Sequence, residues 1–308
     1  MPSTGPAVIL ADDVRSTDLM EHLDRHRLGV RDLVVERGAV LFRGFEVGSA
    51  ARFHAVARAF MPELVSYVHG NSPRRRVTDR VYTSTEYPSE YPITLHNELS
   101  YTKSPPSYLM FCCLVPAAVG GETLMADGRR VLEEVTRQVR TCFLARTIRY
   151  TQNLPDGAGF GKSWQDTFET EDAEQVMRLL REGGAEFVWK PDGGLRVTHI
   201  RNAVAAHPVT GRPVWFNQAD QWHWSNLDES SRAAMLNVFA EDDLPINASF
   251  GDGSAIDPAD LDGIRRVYHE LARPVRWQPG DVLIIDNWLT MHGRAAYTGP
   301  RQVLVAMA

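Results

Sequence analysis

Two short stretches carry the residue types that could hold a metal ion. One is Leu95-His96-Asn97-Glu98, and the other, far downstream, is Met291-His292-Gly293-Arg294. Residues two apart on a strand share a face, so His96 and Glu98 can present an imidazole and a carboxylate to one ion while Asn97 faces away. His292 must then arrive from a distant strand, and in a two-sheet barrel the first and last core strands can neighbour one another. Three protein ligands on one side of an ion leave the opposite positions open, the donor set of non-haem iron(II) centres that admit a chelating co-substrate and dioxygen. A His-X-Glu pair alone is weak evidence in a chain with ten histidines, so the surrounding residues must add weight.

Arg301 adds it. The turn signal Thr298-Gly299-Pro300 predicts that Arg301 opens a strand returning beside the one that ends at His292. Its guanidinium then faces the metal pocket and can hold a carboxylate by a two-pronged, charge-assisted bond. Thr123, just past the Gly120-Gly121 turn, can donate its hydroxyl to the same carboxylate. Arg294, nearer to His292, can bind a substrate carboxylate or make a structural pair. His199, His207, His223 and His269 lack an acid at the matching spacing and read as hydrogen-bonding loop or helix residues, with His223, between Trp222 and Trp224, a candidate for the pocket wall.

The elements that must position these groups follow from apolar spacing. Helices are predicted in Leu19 to Val35, Ser49 to Phe60, Arg129 to Arg140, Asp172 to Arg181, Glu229 to Glu241 and Pro258 to Leu271. Strands are predicted at Ala39 to Phe45, Thr94 to Ser100, Tyr108 to Val115, Pro213 to Gln218, Pro274 to Trp277, Val282 to Asp286 and Gln302 to Met307, with another after Gly120-Gly121. Gly70 to Pro92 has no clear period and reads as a binding loop. Strands spread over the whole length and interrupted by helices fit a mainly β jelly roll, a double-stranded β-helix with helical insertions. The chain is read as one domain, 1–308, with a helical and loop insertion at about 128–205.

Composition is that of an ordinary globular protein: 308 residues, 44% hydrophobic and 23% charged, enough to bury a sizeable core. A net charge of −6 gives no electrostatic reason to expect nucleic acid or an anionic membrane. Arg74-Arg75-Arg76 reads as a solvated loop, although one of the three could reach an acidic substrate. The N-terminus lacks signal-peptide features and there is no long apolar run, so a cytoplasmic protein is expected. Cys112, Cys113 and Cys142 are too few for a disulfide framework, and the first two belong to a buried strand.

These motifs resemble the taurine dioxygenase and TfdA superfamily, whose fold is also called clavaminate-synthase-like. The likeness runs from Thr83-Ser84-Thr85-Glu86-Tyr87-Pro88 through Leu95 to Tyr101 and Gly120-Gly121-Glu122-Thr123 to Val214-Trp215-Phe216-Asn217-Gln218 and the C-terminal motif. It is greatest to the branch of natural-product pathways that includes the syringomycin-type aspartyl hydroxylase. The resemblance implies iron(II) on His96, Glu98 and His292, and 2-oxoglutarate on Arg301 and Thr123, with dioxygen as second co-substrate. Glu98 stands where aspartate is commoner, as in the clavaminate-synthase branch, and a carboxylate there argues against halogenation.

The chemistry implied is decarboxylation of 2-oxoglutarate to succinate, coupled to oxidation of an unactivated carbon. Hydroxylation is the default outcome, and desaturation, epoxidation or cyclisation would use the same ligands. The substrate expected is an amino acid or its derivative, free or on a carrier protein. Arg74, Ser84, Gln218 and Arg294 are the polar candidates to orient it. A zinc hydrolase on the same three ligands would leave Arg301 unexplained, and a non-catalytic binding protein would leave the complete ligand set without a task.

Overall fold

The computed structural model describes residues 5–70, 72–157 and 159–308. The leader-free reading of the N-terminus rests partly on Met1 to Thr4, which lie outside the described residues.

Alternating apolar strands build a seven-stranded sheet in the order Ala7–Leu10, Ala39–Arg43, Val282–Asp286, Tyr108–Val115, Gln302–Met307, Val81–Thr83, Arg76–Thr78. Side chains alternate between its two faces. Leu41, Leu109, Phe111, Leu283, Ile285, Val303 and Val305 point into one core, and Val40, Phe42, Met110, Cys112, Ile284 and Leu304 into another. The second core is closed by the helices Leu19–Arg37 and Ala50–Phe60, which bring in Leu23, Val34, Phe53 and Phe60. Being covered on both sides, Val282–Asp286 is buried at every position. The two helices start at side-chain caps: Asp18 accepts from the backbone N–H groups of Met20 and Glu21, and Ser49 from that of Arg52.

The first core is completed by a four-stranded sheet in the order Arg273–Val275, Thr123–Asp127, Thr290–Arg294, Ile93–His96. It contributes Leu95, Met125, Met291 and Val275. The two sheets and their covering helices form the expected mainly β jelly roll with helical insertions.

Residues 128–205 hold more than helices and loops. Ile148–Leu154, Glu186–Trp189 and Leu195–Arg201 form three strands of a further four-stranded sheet, which Ile246–Phe250 completes from outside the segment. The single helix predicted over Arg129 to Arg140 is two, Gly128–Glu134 and Arg137–Arg146. Thr136 breaks it because its hydroxyl caps the second, accepting from the Val139 N–H.

Two sequence expectations about the site's scaffold are corrected. The strand expected from Thr94 to Ser100 ends at His96, and Glu98 lies in the following turn, which Leu99 closes with φ +52°. The strand after Arg301 does not return beside Thr290–Arg294. Gln302–Met307 pairs with Tyr108–Val115 and Val81–Thr83 in the larger sheet, because the chain crosses over through Tyr297–Thr298, paired with Val119–Gly120. His292 and Arg301 therefore reach the pocket from opposite sheets.

Candidate metal centre and active-site pocket

His292 and His96 sit directly opposite one another on neighbouring antiparallel strands. Their rings are 4.4 Å apart, centre to centre. Glu98 Oε2 lies 3.9 Å from His96 Nε2 and 3.6 Å from His292 Nε2. One ligand atom from each residue falls within 4.8 Å of the others, and all three residues are buried.

The pairing of these strands depends on a glycine. A Cβ on Gly293 would stand 2.5 Å from the Ile93 carbonyl oxygen and 3.2 Å from the Thr94 backbone, so the strands approach closely only without one. The register slips between His292 and Arg294 at the same place, a bulge that aims the imidazole inward.

Ring orientation suits metal binding. His96 donates Nδ1–H to the Thr94 carbonyl at 2.9 Å, which leaves the Nε2 lone pair facing Glu98 and His292. Burial, with the neighbouring His292, pushes the His96 pKa down to about 3, so the ring is neutral at ordinary pH. Burial alone would raise the Glu98 pKa. The Arg74 guanidinium and the two imidazoles outweigh it and hold the carboxyl below the usual carboxylate range. Two imidazole nitrogens and a carboxylate converging on one point fit iron(II) with open positions left over.

Glu98 is placed by an asparagine rather than by strand alternation. Asn287 accepts the Glu98 N–H at 2.8 Å and donates to the carbonyls of Glu98 and Pro106 at 3.0 and 2.8 Å. Asn97 in turn donates to the Asn287 carbonyl at 2.7 Å. These buried bonds fix the turn behind the candidate metal ligands. The sequence signal for Asn287 was a second polar residue, following Asp286, after the apolar run Val282 to Ile285, and alone it names no role.

Gln218, a substrate candidate from sequence, belongs to this supporting layer. Its amide donates to the Asn97 carbonyl at 2.8 Å and accepts from Trp222 Nε1 at 3.0 Å, behind the turn and away from the pocket. Arg294 does line the pocket, but its guanidinium donates to the carbonyls of Thr85, Tyr87, Pro88 and Tyr91, pinning that loop. His223 is buried with Nδ1 on Ser225, also outside the pocket. His207 reaches Asp286 at 2.8 Å, and Asp286 in turn accepts from the N–H groups of Trp288 and Leu289, fixing the turn before His292.

The pocket in front of the triad is small, with about 30 Å³ of space that a water-sized molecule can occupy. Thr123, Ser84, Arg74 and Arg301 supply its polar lining, and Ile93 and Phe111 its apolar walls. Phe111 also packs on the His292 ring at 5.5 Å. Arg301 enters from the larger sheet. Its Nε donates to the Gly121 carbonyl and one terminal nitrogen to Ser84 Oγ, each at 3.1 Å. Gly121, at φ +72°, leaves room for it, since a Cβ there would lie 3.1 Å from Arg301 Nε. Burial, then Arg294, lowers the Arg301 pKa to about 10, so the side chain stays charged at neutral pH. Ser84 positions this guanidinium.

Arg74 departs from the solvated reading, whereas Arg75 and Arg76 are exposed. Arg74 is buried and donates to Glu98 Oε2 at 2.6 Å.

The family model for the taurine catabolism dioxygenase TauD, TfdA family matches residues 2–307. Dapdiamide synthesis protein DdaC from Enterobacter agglomerans is 35% identical over 278 residues, which are 90% of this chain and 84% of that protein. A clavaminate synthase-like protein from Arabidopsis thaliana is 33% identical over 287 residues, 89% of this chain and 82% of that one. Among solved structures, asparagine oxygenase with Fe(II), 3-hydroxyasparagine and succinate superposes with a TM-score of 0.57 at 14% identity, covering 94% of this chain and 79% of that one. PvcB from Pseudomonas aeruginosa gives 0.52 at 14%, covering 91% and 78%. At those identities the structures speak for the fold.

Proposed function

The chain belongs to the TauD/TfdA dioxygenase family, and from that premise we propose that it hydroxylates an unactivated C–H bond of an amino acid or amino-acid-derived compound in specialised metabolism. It is an iron(II)- and 2-oxoglutarate-dependent dioxygenase. The observation that carries the reading is the convergence of His96, Glu98 and His292 in one pocket with Arg301. When bound, iron(II) supplies the redox chemistry by which dioxygen converts 2-oxoglutarate to succinate and carbon dioxide and oxidises the substrate.

The residues divide the work around that chemistry. His96, Glu98 and His292 would hold the metal, with Asn287 fixing the backbone of Glu98. Arg301 would take the distal carboxylate of 2-oxoglutarate, helped by the Thr123 hydroxyl, and Ser84 would orient the guanidinium. Phe111 and Ile93 keep one side of the pocket apolar and limit water there.

The amino-acid substrate is supported by the relative named for dapdiamide synthesis and has a precedent in the hydroxyasparagine bound to asparagine oxygenase. We read residues 1–308 as one catalytic unit. No helix among the described residues is long and apolar enough to cross a membrane, and the free thiols Cys112, Cys113 and Cys142 support a cytoplasmic setting.

The test is aerobic 2-oxoglutarate consumption by the iron-loaded protein against a panel of amino acids, with products read by mass spectrometry. One acid should stimulate succinate formation and gain one oxygen atom, and His96→Ala should abolish both. Unchanged consumption in His96→Ala would remove this assignment.

A further inference from the structure

Arg74 borders two cavities. One is the metal pocket, and the other is a groove lined by Tyr67, Tyr82, Lys162, Asp166 and Glu169 on its far side. The Tyr67 ring underlies both of the groove's inner cations. The Arg74 guanidinium carbon is 4.4 Å from the ring centre, and Lys162 Nζ is 5.6 Å from it.

Neither cation is fully matched. Arg74 gives one terminal nitrogen to Glu98, while its Nε and other terminal nitrogen, both buried, have no hydrogen-bond acceptor among the described residues. The Lys162 ammonium donates to the Gly70 carbonyl at 3.1 Å. Buried guanidinium N–H groups without acceptors are costly, and a second cation lies over the same ring. Burial holds the Lys162 pKa down to about 8, outweighing the nearby carboxylates of Asp166 and Glu169, with Arg74 adding to the lowering. An anion in the groove would meet Lys162 directly, and would meet the enclosed Arg74 nitrogens once the guanidinium turns toward it. The exposed carboxylates of Asp166 and Glu169 border the same groove and can receive an ammonium.

We propose that this groove is the substrate subsite: Lys162 and Arg74 hold a free carboxylate, Asp166 and Glu169 face an amino group, and the reacting carbon is directed past Arg74 to the metal. The inference rests on the oxygenase reading above and narrows it. It selects a free amino acid over one tethered as a carrier thioester, since a thioester has surrendered the carboxylate that this pair of cations recognises.

The experiment uses the full chain loaded anaerobically with iron(II) and 2-oxoglutarate, so that binding is read without turnover. Free L-amino acids, their carboxamides and aminoacyl-phosphopantetheine thioesters are titrated, and the visible charge-transfer band of the iron chelate and the heat of binding are followed. At least one free acid should bind ten-fold or more tightly than its amide, the worth of one charge-assisted hydrogen bond. Lys162→Met should weaken that acid by a similar factor while retaining the band, and Lys162→Arg should restore it. Equal binding of acid and amide, unaltered binding in Lys162→Met, preference for the thioester, or no binding by any free acid would each overturn the subsite. Absence of the band in the unaltered protein would instead remove the underlying iron and 2-oxoglutarate reading.

Discussion

Replacing Arg301 by lysine keeps a positive charge in the pocket but removes the planar fork, and the outcome separates those two contributions. In the structure the guanidinium is oriented by two bonds, Nε to the Gly121 carbonyl and a terminal nitrogen to Ser84 Oγ, both 3.1 Å. A carboxylate meeting this prearranged fork can gain two charge-assisted hydrogen bonds. A lysine ammonium offers a point charge and one well-directed bond to the same carboxylate, with nothing to fix its rotamer. The difference is one bond to a charged group, about 1.5–3 kcal/mol. At about 1.4 kcal/mol per factor of ten, 2-oxoglutarate should bind roughly 10- to 150-fold more weakly. Arg301→Gln, which also removes the charge, should bind more weakly still. The assay is anaerobic titration of the iron(II)-loaded protein with 2-oxoglutarate, read from the charge-transfer band, with thermal unfolding as a check on the fold. A folded Arg301→Lys protein whose affinity falls less than three-fold would refute the two-pronged contact and leave Arg301 as a source of charge alone.

Asn287→Ala should leave a buried N–H and two buried carbonyls around Glu98 without their side-chain partner, so urea denaturation should show a loss of about 3 kcal/mol, with iron affinity falling at least ten-fold in the protein that remains folded. Burial raises the pKa of Cys112 and Cys113 to about 12, whereas Cys142 is partly exposed; a thiol-specific disulfide reagent should therefore modify Cys142 alone in the native protein and all three cysteines after unfolding. Carboxylate binding in the groove should weaken as pH rises through about 8, because the folded-state Lys162 pKa is lowered and the ammonium loses its proton there; Tyr67, Arg74, Asp166 and Glu169 also face the groove. Calorimetric titration from pH 6.5 to 9.5 checks this, and pH-independent binding would exclude Lys162 from recognition. The same lowered pKa means that the unfolded chain binds the extra proton between about 8 and 10.5, so the contribution of Lys162 to stability should rise, not fall, with pH across that window.

The sequence by itself determined the candidate ligand set, the strands and helices that carry a clear period, and the class of fold. The near-continuous apolar runs in Tyr108–Val115, Val282–Asp286 and Gln302–Met307 are local information, since such a run must be buried on both faces whatever its neighbours. His96, Glu98, His292 and Arg301 were legible for a different reason: iron and a carboxylate restrict the residue types that can bind them. Register, crossover and close approach are properties of strand pairs and not of any one segment, and these only the tertiary structure decided. It put Glu98 in a turn held by Asn287, brought Arg301 across to the pocket from the opposite sheet, and required glycine at 293 to let two strands touch. It also buried Arg74 against Glu98 while leaving Arg75 and Arg76 in solvent, and it turned Gln218 into a brace behind the metal turn. Identical or adjacent residue types receive opposite roles there because burial and partners are set by packing between segments far apart in the chain.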